Sequence, residues 1–230
     1  MEALSTAFAL VLSADAELRQ IVALSLTVSL TAVALATLFA LPLGAAVALG
    51  RFHGRDAVII VLNALMGLPP VVVGLAVYLL LSRAGPLGEL GLLFTPPAMI
   101  IAQAVLILPI IAALTRQIVG DLWAEYGEQL TSLGVGPARA VPTLLWDARY
   151  GVLTAVLAGL GRAAAEVGAI LIVGGNIAGV TRTMTTAIAL ETSKGQLGLA
   201  LALGIILITL VLIINAAAFF LTRIAGRHYA

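Results

Sequence analysis

From residue 20 to residue 50 the chain carries no charged side chain, so that Arg19 and Arg51 bracket one apolar run from Ile21 to Leu49. A helix through it, rising about 1.5 Å per residue, outruns the roughly 30 Å hydrocarbon core of a bilayer and must tilt or protrude. Apolar runs recur at 57–81, 94–114, 150–173 and 197–221. With 62% hydrophobic residues, 10% charged residues and a mean hydropathy of +1.16, the chain cannot clothe a soluble globule in polar surface. It reads as all-α and polytopic, with five transmembrane helices. The expected division is an N-terminal external or interfacial segment at 1–20, amphipathic over 3–12, and a transmembrane domain at 21–230. The start, MEALSTAFALVL, has an acidic residue where a secretory signal needs cations. A net charge of +1 gives no reason to expect nucleic acid, and with no cysteine there is neither a disulfide framework nor a thiolate metal site.

Some spans carry residues that a purely structural helix avoids. Pro42 can bend the first. In the second, Gly67, Pro69 and Pro70 remove or weaken backbone hydrogen bonding in mid-membrane, so a break is expected there, tolerated only against protein or a water-filled cavity. That makes Pro69 and Pro70 candidates for a pathway wall, with a kink used for packing as the alternative. The third span holds Gln103 and Pro109; Gln103 could face a pathway, but a lone intramembrane glutamine more often ties helices together. In the fourth, Arg162 and Glu166 stand four apart, which on a helix puts them on one face. Either charge alone would be costly in hydrocarbon, so the two are expected to pair and face protein or water, as a gate or as a static anchor.

Two polar intervals stand out. The longer, 125–149, places Glu125, Glu128, Gln129, Leu130 and Leu133 at helical spacing before Gly134, Gly136 and Pro137 stop the pattern, and Leu144, Leu145 and Trp146 offer a second apolar face. A helix, a glycine turn and a second helix make a compact knob suited to a partner's cleft. The shorter, 174–194, permits an abrupt exit at Gly174, Gly175 and Asn176, then gathers Thr181, Arg182, Thr183, Thr185 and Thr186. Hydroxyls and a guanidinium hold an oxyanion well, so this is a candidate outer vestibule; a solvated loop with a capping threonine is the alternative. With the knob inside, the inner face holds Arg51, Arg55, Arg116, Arg139, Arg149, Arg223 and Arg227, and the outer face holds Arg19, Arg83, Arg182 and Lys194. The positive-inside rule therefore places the N-terminus outside and the C-terminus, with His228, in the cytoplasm.

Glu128, Gly134 six residues on, and the pair Leu144 and Leu145 resemble the cytoplasmic loop of bacterial ABC importer permeases, written in that family as Glu-Ala-Ala, three residues, Gly and a later apolar-Pro ending. Here Gln129 and Leu130 replace the alanines, and Asp147 stands where the late proline falls. The segment GRAAAEVGAILIVGGNIAGVTRTMTTAIALETSKGQ (161–196) is similar to the permeases of tungstate importers and, less closely, of molybdate and sulfate importers. The resemblance covers the loop and the last two spans closely, and the first three in general character. It implies a type I ABC importer permease-like fold in a bacterial or archaeal inner membrane, working as a homodimer. Its partners would be ABC ATP-binding subunits and an external substrate-binding protein. It also implies a coupling loop at about 116–149, with Glu125, Glu128, Gln129, Leu130, Leu133 and Gly134 meeting the ATP-binding subunit. No cofactor is expected in this chain. There is no GxxxxGK[ST] run, so ATP and Mg belong to the partner. His53 and His228 are far apart without ligand neighbours, so no metal is expected. A secondary transporter would show internal repeats and coupling-ion ligands at mid-membrane, and a membrane enzyme would need a second reactive group near Glu166; neither is visible.

Overall fold

The computed structural model describes residues 16–227, with side chains to 220, and every helix or turn of helix in it is α or 3₁₀. Residues 3–12, His228 and the side chains of Arg223 and Arg227 lie outside the described residues. In order the helices are α1 (Ala16–Leu49), α2 (Arg55–Leu65), α3 (Pro70–Leu81), α4 (Pro96–Ser132), α5 (Pro137–Asp147), α6 (Arg149–Ala164), α7 (Gly168–Gly174), α8 (Met184–Ser193) and α9 (Leu197–Arg227), with a 3₁₀ turn at Gly88–Leu90. Three of them, α1, α4 and α9, are long and apolar enough to cross a membrane alone; α2 with α3 and α6 with α7 qualify only as bent pairs, giving up to five spans.

Several boundaries differ from the sequence reading. α1 begins at Ala16, taking 16–20 into the helix, and it runs through Pro42 unbroken. α4 runs through Pro109 and continues to Ser132, so 116–124 is helix as well, and the expected first helix of the knob is the end of the long helix that starts at Pro96. The second span breaks where Gly67, Pro69 and Pro70 predict: Pro69 is extended at φ −65°, ψ 123°, and Pro70 opens α3 at its first position, where a missing N–H costs nothing. A second break falls at 165–167, between α6 and α7, where the sequence reads as one span.

The chain folds into two compact units. One gathers the described parts of Met1–Ala32 and Gly161–Ala230 with Pro69–Gln103; the other holds Val33–Leu68 and Ala104–Leu160. In the first, Leu18 and Ile21 of α1 pack on Met184 and Ala187 of α8 and Leu203 of α9. α3 and α7 meet so closely that a Cβ on Gly74 would lie 2.8 Å from the Ala169 Cα. In the second unit, Ala45, Ala48 and Leu49 of α1, Val119 of α4, and Ala140 and Leu144 of α5 form one core. There α1 and α4 touch backbone to backbone: a Cβ on Gly44 would sit 2.5 Å from the Ala112 carbonyl oxygen and 2.8 Å from the Thr115 Cβ. Without a hydrophobic drive between helices in lipid, such small-residue contacts carry the packing.

Candidate functional site

The break at 165–167 interrupts the hydrogen-bond ladder between α6 and α7, so backbone groups there need partners from elsewhere. Side chains of two helices and of the break itself supply them. Gln103 of α4, fully buried, donates its Nε2 to the Ala163 carbonyl at 2.9 Å and lies 3.5 Å from the Ser29 hydroxyl of α1. Thr185 of α8 donates its hydroxyl to the Glu166 carbonyl at 2.7 Å. The Glu166 carboxylate accepts the Ala169 N–H at 2.9 Å in the first turn of α7.

The Glu166 side chain is only 2% exposed, and its other oxygen lies 3.8 Å from a guanidinium nitrogen of Arg162, whose side chain is 33% exposed. The two charges meet as the four-residue spacing predicts, but the geometry differs. Arg162 is in the last turn of α6 while Glu166 stands in the break, so the carboxylate serves the backbone and the guanidinium together. The structure thus brings Gln103, Arg162, Glu166 and Thr185 to one place. Gln103→Leu leaves the Ala163 carbonyl without its side-chain donor and is expected to cost about 1–2 kcal/mol of stability, read as a lower thermal unfolding midpoint in detergent. An unchanged midpoint would remove Gln103 from the break.

The other polar residues of 174–194 have separate tasks. Thr181 is buried; its hydroxyl donates to the Gly174 carbonyl and accepts the Ile177 N–H at 2.9 Å, closing the loop after α7. Thr183 caps α8 in a reciprocal box with Thr186, and the first N–H of α8 goes to the Ser25 hydroxyl of α1 at 2.8 Å. These hydroxyls turn inward onto backbone and one another rather than forming the open polar mouth that 174–194 suggests, because a buried hydroxyl must find a partner, although Gly175 and 177–180 around them are exposed. Asn176 sits in left-handed backbone, φ 50°, with its Nδ2 3.5 Å from the Thr186 carbonyl. Arg182 reaches back to Glu17 at 3.4 Å. Pro69 and Pro70 form the other break, and Pro70 lies against the start of α7: a Cβ on Gly168 would sit 3.6 Å from the Pro70 Cβ. Sequence reasoning missed Glu191, a buried carboxylate on α8 whose Oε1 takes Lys194 Nζ at 3.0 Å; in sequence it looks like any solvated helix-end pair.

The knob is as compact as expected. α4 ends in a Schellman turn: Val135 N–H reaches back to the Leu130 carbonyl and Gly134 N–H to that of Thr131, both at 2.9 Å, with Gly134 at φ +77°. Val135 and Leu130 both pack against the core of the second unit, as do Val141 and Leu145. Glu125, Glu128, Gln129, Leu133 and Gly134 are exposed and Leu130 is half-buried. Of the expected apolar face on α5, Leu144 points into the core and Trp146 points out, with the Arg149 guanidinium 5.6 Å from its ring centre. Leu133 is 79% and Trp146 69% exposed, so the knob displays two large apolar groups.

No protein-family model matches the chain, but curated relatives match nearly all of it. It is 44% identical to a probable anion ABC transporter permease protein of Haloferax volcanii, over 90% of this chain and 92% of that one. It is 39% identical to a tungstate uptake system permease protein of Peptoclostridium acidaminophilum, over 95% and 96%. A tungstate uptake system permease protein of Campylobacter jejuni is 38% identical over 72% and 69%.

Proposed function

The chain belongs to the anion permeases of ABC transporters, and on that footing we propose that it is the membrane subunit of an ATP-driven importer of tungstate. The near-full-length match to the Peptoclostridium permease carries the choice of anion. The permease is a multi-pass membrane protein of the cell membrane and is itself a transport subunit. In our reading two copies enclose the path, two ATP-binding subunits hold ATP and Mg at the cytoplasmic face, and an external binding protein delivers the anion. The N-terminus then lies outside and the C-terminus inside, as the distribution of Lys and Arg supports.

The knob is the coupling element in this reading. ATP-driven closure of the partner subunits moves Glu128 to Gly134 as part of a rigid body, since α4 reaches the knob as unbroken helix and the Schellman turn locks its end. The drive is the difference in the ATPase dimer's affinity for the inward-open and outward-open states. Arg162 and Glu166, held at the break between α6 and α7, stand where a pathway or gate residue is expected, and Pro69, Pro70, Gln103 and Asn176 mark the other places where helix gives way or polar groups enter the membrane domain.

The test is vanadate-sensitive ATP hydrolysis by permease and ATP-binding subunit co-expressed and reconstituted in lipid, with binding protein loaded with tungstate, molybdate or sulfate. Stimulation by the tungstate-loaded protein, with uptake of tungstate into the vesicles, is the expected result. Stimulation by another loaded form alone reassigns the anion. Uptake that follows an ion gradient without an ATP-binding subunit overturns the importer reading.

A further inference from the structure

We propose that the turn at 50–54, between α1 and α2, is a second part of the surface that receives the ATP-binding subunit, and that Arg51 there pairs with a carboxylate of that partner. The inference rests on the importer reading above. The turn is held firmly in place. Arg55 donates Nε to the Val47 carbonyl and Nη2 to the Ala48 carbonyl, both at 2.9 Å, and so satisfies the last carbonyls of α1. That commits Arg55 to the fold and leaves Arg51, Phe52 and His53 displayed, Phe52 with 47% of its surface exposed.

Ala45, Ala48 and Leu49 pack on Val119, Ala140 and Leu144, so the end of α1 stands beside the knob in one core. Two open grooves result, one of about 790 Å³ along the turn and one of about 620 Å³ along Gly127, Glu128 and Thr131. Arg51 and Trp123 line both. The surface expected to couple to the ATPase therefore continues, without interruption, onto the turn.

The chemistry favours a protein carboxylate. A guanidinium beside an indole wall suits a planar, bidentate acid, and the groove also carries His53 and Arg55 against the single acid Asp56.

The test measures binding of the ATP-binding subunit to the permease in nanodiscs of zwitterionic and of anionic lipid, over a range of salt, for wild type, Arg51→Lys, Arg51→Glu and His53→Glu. All four should share one thermal midpoint, since neither Arg51 nor His53 is buried. Arg51→Glu is expected to weaken binding about tenfold in both lipids and to flatten its salt dependence, His53→Glu to weaken it less, and Arg51→Lys to stay within about threefold of wild type. Equal affinity of Arg51→Glu and wild type overturns the proposal while leaving the importer reading intact. A loss confined to anionic nanodiscs also overturns it and assigns the turn to the membrane surface. If wild type binds no ATP-binding subunit, the importer reading falls and takes this inference with it.

Discussion

Gly44→Val is expected to destabilise the membrane domain by about 2–3 kcal/mol, read as a lower unfolding midpoint in detergent by heat or by SDS titration. The cause is backbone contact. The first added carbon would lie 2.5 Å from the Ala112 carbonyl oxygen, 2.8 Å from the Thr115 Cβ and 3.0 Å from the Arg116 nitrogen. No rotamer relieves a Cβ clash, and two of those three atoms are main chain, so α1 and α4 must move apart. Separation then strips contacts from Ala45, Ala48 and Val119 below the crossing. Valine's better helix propensity returns only about 0.3–0.5 kcal/mol, too little to offset the strain. Gly120→Ala on the same α4 is the matched control, because a Cβ there meets nothing within 4 Å; its midpoint should equal or exceed that of wild type. If Gly44→Val melts with wild type, the close crossing of α1 and α4 is wrong.

Gly134→Pro is expected to abolish stimulation of ATP hydrolysis by loaded binding protein while the spans remain folded. Two requirements of the Schellman turn fail together. Proline fixes φ near −65° where the backbone needs +77°, and it has no N–H to give the Thr131 carbonyl. The turn must then open, and α5 leaves the direction in which Leu130 and Val135 hold it. Gly134→Ala separates shape from presence. Its Cβ has open space, so only the left-handed backbone is penalised, by about 1 kcal/mol, and stimulation should survive in part. The decisive measurement compares basal and stimulated hydrolysis with the thermal midpoint. Loss of stimulation at an unchanged midpoint and with the ATP-binding subunit still attached supports coupling through the knob. Full stimulation in the proline variant would remove the knob from the coupling path.

What the sequence could disclose depended on whether the cause of a feature was local. The break before Pro70 is legible because proline carries its own reason for ending a helix. The turn at Gly134 is legible for the same kind of reason, as glycine alone takes φ +77° at no steric cost. The break at 165–167 is not legible: Ala165, Glu166 and Val167 are ordinary in a helix, and the donors that make an interruption tolerable there, Gln103 and Thr185, are distant in sequence. The pairing of Arg162 with Glu166 could be expected from spacing, but the helical geometry behind that expectation was not the one that brings them together. The threonines at 181–186 misled in the opposite direction. Their composition suggests a polar mouth, whereas Thr181, Thr183 and Thr186 are buried because the loop satisfies itself. Continuation of α4 past its apolar stretch was missed because hydropathy marks where lipid ends, not where a helix ends.

The stitched break also has a consequence for the order in which the protein can be made. Ala163 finds its donor in Gln103, which has been synthesised 60 residues earlier, but the Glu166 carbonyl waits for Thr185, 19 residues later. The pair α6 and α7 therefore leaves the ribosome with one of its interruptions answered and the other still open. An insertion machine that released each span to lipid on emergence would leave an unpaired carbonyl beside a carboxylate in hydrocarbon. Until α8 has followed, the Glu166 carbonyl lacks its Thr185 donor, so the bent pair and the segment after it complete their hydrogen bonding together.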